Sequence, residues 1–139
     1  MNPENIVFPV MAMFFLTISI VIYMAVQRIL AVKNKEVNGK YYVLYAEGEE
    51  SPRLQKLTRH VKNLFEIPPL FYIVILLLFV TDNVSLVAVS LAWGYFFARC
   101  VHSFVHLGSN NVMSRFLAFL VSVIILTFLW LLLFASIVF

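Results

Sequence analysis

Four long apolar runs, at residues 6–26, 67–80, 84–98 and 116–139, dominate the chain, and nearly all of its charge lies between them. A backbone surrounded by hydrocarbon must satisfy its own polar groups, so runs of this length are compatible with membrane helices and with little else. Composition agrees: 63% of the 139 residues are apolar and only 12% are charged, far from the usage of soluble domains. The chain reads as an all-α integral membrane protein, a four-transmembrane-helix bundle forming a single domain over residues 1–139. No internal repeat or low-complexity tract divides the sequence.

All ten basic residues, at positions 28, 33, 35, 40, 53, 56, 59, 62, 99 and 115, fall in or beside the connections between helices 1 and 2 and between helices 3 and 4. Basic residues are retained on the cytoplasmic side, which predicts a multi-pass protein with both termini and the Thr81-Asp82-Asn83 turn away from the cytoplasm. The opening MNPENIVFPV lacks the basic region of a secretory leader and is read as part of the first membrane helix. A net charge of +3 spread along a membrane border suits lipid headgroups, not nucleic acid. Cys100 is the only cysteine, which excludes an intrachain disulfide. Residues 33–50, rich in Lys, Glu and Gly, are expected to pack loosely over the cytoplasmic face, with Tyr41, Tyr42 and Tyr45 at the interface. Ser51-Pro52 reads as a helix N-cap and first turn, Gly108 as a C-cap, and Asn110 or Asn111 as the N-cap of the last helix.

The stretch RHVKNLFEIPPLFY, residues 59–72, is harder to place. Ile67 to Val80 makes about 21 Å of helix against a hydrocarbon core of roughly 30 Å. Completing the span draws Lys62, Asn63 and Glu66 below the border, and the short run from Val84 to Ala98 does the same to Arg99. Ionisable groups at that depth are costly unless they face the protein interior and find partners. Pro68-Pro69 removes two backbone donors, which predicts a bend that frees carbonyls near Leu64 and Phe65. The turn at 81–83 makes helices 2 and 3 antiparallel, so Glu66 falls level with Arg99, Asn63 with His102 and Arg59 with His106. Helical spacing places 59, 62/63 and 66 on one face, and 99, 102 and 106 on another. The expectation is two polar stripes in register, with a Glu66–Arg99 ion pair at the bottom of a polar pocket. One glutamate cannot neutralise Arg59, Lys62, Arg99 and Arg115, so the surplus positive charge calls for an anionic ligand, and guanidinium forks suit carboxylates. A purely structural lock between helices 2 and 3 is the competing reading.

His102 and His106, at i and i+4, could hold a metal ion or haem. No Cys or Asp joins them on helix 3 and the surrounding charge is positive, so hydrogen bonding within the pocket, and no metal, is expected. His60 is read as lying on the solvated or interfacial side of helix 2, and Cys100 as a small buried apolar residue. Ser19, Ser90, Ala92 and Gly94 permit close helix approach. The density of phenylalanine, at Phe65, Phe71, Phe79, Phe96, Phe97 and Phe104, is read as packing and lipid contact.

RHVKNLFE followed by PPLFY, and ARCVHSFVHLGSNNVMSRF across the junction of helices 3 and 4, resemble the MAPEG superfamily, the membrane-associated proteins in eicosanoid and glutathione metabolism. The similarity covers the four-helix layout and most of residues 53–120. Asn63 and Glu66 match the family's Asn-x-x-Glu, Arg99 and His102 its Arg-x-x-His/Tyr, and Arg115 its basic residue near the start of helix 4. The resemblance implies a homotrimer that holds glutathione, as co-substrate, between neighbouring subunits, open to the cytoplasm, with a lipophilic substrate entering from the membrane lipids. It implies that Arg59, Lys62, Asn63, Glu66, Arg99, His102 and His106 bind the tripeptide and that Arg115 is the catalytic residue, stabilising the thiolate. Arg28 stands for the basic residue expected near the end of helix 1. Lys62 replaces an Arg found in many relatives, His106 a frequent Tyr, and Phe116 the Ser of the prostaglandin E synthase branch, which argues against that isomerase activity. The nearest likeness is to small bacterial members, implying a bacterial inner membrane. The leading reading is a glutathione-dependent transferase or peroxidase acting on lipophilic electrophiles. The alternative is a non-catalytic lipid-binding scaffold of the same fold, while a transporter is disfavoured because the polar cluster sits at one end of the bundle.

Overall fold

The computed structural model describes residues 2–45 and 48–138. A 3-10 turn, Pro3–Ile6, leads into α1 (Val7–Lys33), and a short α2 (Tyr41–Leu44) follows. Then come α3 (Pro52–Glu66), α4 (Pro68–Val80), α5 (Leu86–Leu107) and α6 (Val112–Val138). The pair α3–α4 is one broken membrane helix, so the described residues hold four helices long and apolar enough to cross a bilayer: Pro3–Lys33, Pro52–Val80, Leu86–Leu107 and Val112–Val138.

The bundle keeps much of its apolar surface outside. Only 22% of the most apolar stretch of the first and last spans is buried, against 44% in α5, which makes α5 the central helix. Phe14, Phe15, Leu76, Leu86 and Phe128 face outward, as expected where the solvent is lipid. Inside, Ala88 and Ala92 of α5 are fully buried and let neighbouring helices approach closely. Phe71 of α4 stacks on Tyr95 of α5 with ring centroids 4.5 Å apart, and Leu126, Leu129 and Leu133 of α6 fill the rest of the core.

The predicted bend in the second span is a break at a single residue. Ile67 (φ −100, ψ −45) separates α3 from α4. Pro68 and Pro69 cannot donate to the carbonyls of Leu64 and Phe65, so the ladder loses two rungs there. The Ile67 amide still reaches the Asn63 carbonyl at 3.4 Å, and the Leu70 amide restarts the ladder on the Ile67 carbonyl at 3.0 Å. α3 begins at Pro52 as the sequence suggests, although the Ser51 side chain makes no capping bond. Ser85 caps α5 through the Ala88 amide and Asn111 caps α6 through the Ser114 amide. Gly108 closes α5, and a Cβ at that position would lie 2.8 Å from the Phe104 carbonyl oxygen, so no larger residue fits without moving backbone. The left-handed step that redirects the chain falls on Asn110, at φ 52.

The described parts of the connection between the first two spans are held down at both ends. Val37 packs against Ala31, Leu54 and Leu57 in a second small core. Glu50 is only 5% exposed. It accepts a hydrogen bond from Arg28 Nε at 3.0 Å and one from Thr58 Oγ1 at 2.8 Å, while Arg28 Nη2 donates to Thr58 Oγ1 at 2.9 Å. The Arg28 guanidinium also lies 5.0 Å from the centre of the Tyr42 ring. Arg28, near the end of an apolar helix, needs a counter-charge, and Glu50 supplies it by drawing the end of the connection down onto α1 and α3.

Burial, and then the charge of Glu50, push the Tyr42 phenol above its ordinary pKa. A pKa raised by folding means stability that is complete below the unfolded value, about pH 10, and is lost as pH rises through the folded value. Limited proteolysis of residues 33–50 should therefore accelerate above about pH 10, and Tyr42→Phe, which keeps the ring beside Arg28, should abolish that alkaline step. An unchanged pH profile in the variant would show that the phenol does not hold the segment.

Candidate functional site

The buried stripe of α3 decides which way its polar residues point. Leu54, Leu57, Val61 and Leu64 recur at helical spacing and are buried together with His60. At about 100° per residue, Glu66 projects about 180° from Leu57, on the side away from the core. Its side chain is 54% exposed and pairs with Lys62 at 4.0 Å. Arg99 of α5, by contrast, is fully buried, and its Nη2 donates to Asn63 Oδ1 at 2.6 Å. The expected Glu66–Arg99 ion pair is therefore not formed within the chain. Arg99 meets the residue one turn before Glu66, so the level is nearly as the hairpin register predicts, but the face is set by the leucine stripe. Among the described residues, Arg99 Nε and Nη1 have no hydrogen-bond partner.

A cavity of about 450 Å³ opens between α3, α5 and the first turns of α6. Such a volume lies within the range of small-molecule sites, about 300–1,000 Å³. Arg59, Lys62, Asn63 and Glu66 line it from α3, His102 and His106 from α5, and Arg115 from α6, with Phe116 and Phe119 forming an apolar wall. Seven of the eight residues singled out from the sequence thus meet at one cavity. The eighth, Arg99, connects to it through Asn63. Three cationic side chains face a single carboxylate there, which favours an anionic occupant carrying more than one negative charge.

The junction of α5 and α6 fixes Arg115. Its Nη1 donates to Asn110 Oδ1 at 2.7 Å, and its carbonyl oxygen lies 3.2 Å from His102 Nδ1. Lys56 of α3 ties the other side, with Nζ donating to the carbonyls of Leu107 at 2.8 Å and Gly108 at 3.2 Å. A lysine ammonium there satisfies carbonyls that the end of α5 leaves open.

His60 does not lie on a solvated or interfacial surface. It is fully buried, with Nδ1 3.0 Å from His106 Nδ1 and Nε2 3.0 Å from Ser103 Oγ. Its spacing was the available signal, because 57, 60, 61 and 64 share one helical face. Lys56 and Ser103, which the sequence reading did not single out, carry no comparable signal. Cys100 is half-buried, more open than expected.

A four-helix membrane fold with a cationic pocket at one end defines the class of protein. The MAPEG family model matches residues 6–135, and the chain belongs to that family, one of glutathione-related membrane enzymes. No match was found among curated proteins or among solved structures.

Asn63 is the one hydrogen-bond partner of the Arg99 side chain among the described residues. Asn63→Leu should therefore destabilise the detergent-solubilised protein by about 2–3 kcal/mol, the scale for a hydrogen bond to a buried charge. Asn63→Asp, which offers a carboxylate at the same place, should retain stability. Thermal unfolding of the two variants checks this, and equal losses in both would mean that the contact contributes little.

Proposed function

We propose that this chain is a glutathione-dependent transferase or peroxidase acting on electrophiles dissolved in the membrane. The observation that carries the proposal is the convergence of Arg59, Lys62, Asn63, Glu66, His102, His106 and Arg115 on one cavity. Glutathione has two carboxylates and one ammonium. Three cations and one carboxylate match that pattern of charge, with Glu66 the natural partner for the ammonium and the arginines for the carboxylates. The free N–H groups of buried Arg99 are left to donate to a further anionic group, from the ligand or from a neighbouring copy in a homotrimer. The pocket end of the bundle faces the cytoplasm, where the thiol is abundant, and both chain termini lie on the opposite side.

Arg115 has the catalytic role in this reading. A thiol of ordinary pKa, about 8.5, is mostly protonated at neutral pH, and a guanidinium beside the sulfur favours the nucleophilic thiolate. With an alkylating electrophile, the thiolate forms a carbon–sulfur bond and the leaving group departs with the bonding pair. With a lipid hydroperoxide, sulfur attacks the distal oxygen, the O–O bond breaks and the alcohol leaves after protonation. A second glutathione then converts the sulfenic acid to disulfide and water. Phe116 and Phe119 supply an apolar wall against which a lipophilic acceptor can lie.

A lipid-binding scaffold is the second reading. It is favoured by an apolar groove on the bundle exterior between Val10, Met11, Phe14, Phe15 and Tyr72.

Calorimetric titration of glutathione into the detergent-purified protein separates the two. The enzyme reading expects saturable binding, weakened in Glu66→Gln. It also expects Arg115→Gln to bind with little change yet lose about 100-fold in turnover, the scale for removing one charge-stabilising donor. The thiolate ultraviolet absorbance of the bound ligand should fall in the same variant. An absence of glutathione binding in the unaltered protein, with lipid co-purifying, would establish the scaffold.

A further inference from the structure

We infer that His60, His102 and His106 form a binding site for a transition-metal ion of the Zn²⁺ class, with its open coordination position turned to the pocket. Each of the three rings offers a nitrogen, and these nitrogens all lie within 4.8 Å of one another. The closest pair, the Nδ1 atoms of His60 and His106, is 3.0 Å apart. An ion with metal–nitrogen bonds of about 2.0–2.1 Å in tetrahedral geometry separates its ligands by about 3.3 Å. The cluster brackets that spacing.

Hydrogen-bond accounting assigns the protons on the three rings. Ser103 Oγ donates to the Arg99 carbonyl at 2.8 Å, so it has no proton left for His60 and must accept from His60 Nε2–H. His60 Nδ1 is then a bare lone pair, and the proton between it and His106 belongs to His106 Nδ1. A carbonyl can only accept, so His102 Nδ1–H donates to the Arg115 oxygen. Nε2 of His102 and Nε2 of His106 remain lone pairs, buried and without a partner among the described residues. On side chains at most 5% exposed, His102 Nε2 and His106 Nε2 are thus acceptors with no proton to receive, while His60 Nδ1 and His106 Nδ1 share a single proton. Leaving His102 Nε2 unsatisfied is costly, and a metal cation is an electrophile that can take this lone pair together with the two Nδ1 atoms that now share one proton.

Two of the three rings are already held as metal-bound imidazoles are. Ligand histidines donate their other N–H to a carbonyl or similar acceptor, which sets the tautomer and the ring orientation. His102 has the Arg115 carbonyl for this, and His60 has Ser103 backed by the Arg99 carbonyl. His102 therefore binds through Nε2 and His60 through Nδ1. His106 binds through Nδ1 after moving its proton to Nε2, so the ion takes the place of the shared proton and no proton is released. Neutral imidazoles leave the full charge of the ion in place near Arg99 and Arg115. That selects metals high in the imidazole affinity order, zinc and copper above manganese and iron, and it favours an anionic fourth ligand, hydroxide or thiolate, from the pocket. The site rests on the three histidines and does not require the glutathione reading.

Co²⁺ titration of the full chain, purified in detergent with a histidine-free tag and stripped by chelator, tests the inference. One Co²⁺ per chain should bind with the intense visible absorption of tetrahedral coordination, and Zn²⁺ should displace it. His60→Gln and His102→Gln should each abolish the tetrahedral spectrum. Ser103→Ala, which removes only a positioning contact, should keep the spectrum and weaken binding by about tenfold. His60 lies outside the lining of the cavity, so His60→Gln should leave glutathione titration unchanged and thus separates failure of the metal site from failure of the thiol site. Should the variants not fold, the unaltered protein still decides, because Zn²⁺ binding to the native state must raise its unfolding temperature. A pale octahedral spectrum, a tetrahedral band that survives His60→Gln, or no thermal shift with Zn²⁺ would overturn the inference.

Discussion

A guanidinium with no exposed surface, held by one neutral oxygen, is the constraint around which the pocket end of this bundle is arranged. Arg99 sits on the most buried of the four spans, at a depth where an unpaired charge is expensive, and Asn63 is the group that meets it. That contact sets the height of α3 against α5. The lysine below it, Lys56, then reaches the open carbonyls at the end of α5, and His60 comes to lie opposite Ser103 and His106. The proline break at Ile67 complements this arrangement. It interrupts the second span just beyond Glu66, so the amphipathic α3 can follow its own leucine stripe while α4 satisfies the bilayer.

Much of this was legible in the residues. Four apolar runs specified four spans, Pro68-Pro69 specified the interruption, and the short turn at 81–83 specified an antiparallel pair whose levels match to within about one turn. Level follows from counting residues away from a turn, which needs no knowledge of packing. Face does not. Choosing between Asn63 and Glu66 as the partner of Arg99 required knowing that Leu54, Leu57, Val61 and Leu64 outweigh the polar stripe in orienting α3. Grouping charges by periodicity, instead of apolar residues, gave the wrong partner and also put His60 outside. The connection at residues 33–50 departs from its expected looseness for a related reason, since its composition is that of a loose loop and only the three-dimensional position of Arg28 shows why Glu50 is held down. The sequence did gather the pocket's lining, because Arg59, Lys62, Asn63, Glu66, His102, His106 and Arg115 surround a cavity even though the pairings inside differ.

The α5–α6 junction couples the elements of the site through backbone as much as through side chains. The Arg115 carbonyl receives His102, its guanidinium is held by Asn110, and Asn110 adopts the left-handed conformation that turns the chain. Gly108 permits this, since a Cβ there would collide with the Phe104 carbonyl. A guanidinium already held by Asn110, on a backbone already held by His102, loses little entropy on meeting a ligand, which suits the role proposed for Arg115.

For the function proposed, a charged cavity at the border of a membrane would resolve a conflict between two partners of opposite character. In the proposed function a water-soluble anion approaches from the basic side, where Arg59 and Lys62 are exposed, while an apolar partner concentrated in lipid meets the bundle through its outward phenylalanines. Neither would reach the other unaided, because a multiply charged anion does not enter hydrocarbon and a lipophile is dilute in water. A helix that bends at Ile67 lets polar residues follow directly on an apolar span, with Phe116 and Phe119 of α6 standing opposite. The two phases are thereby brought to within one small cavity of each other. The shortness of the apolar stretch in α4 is the feature that allows it.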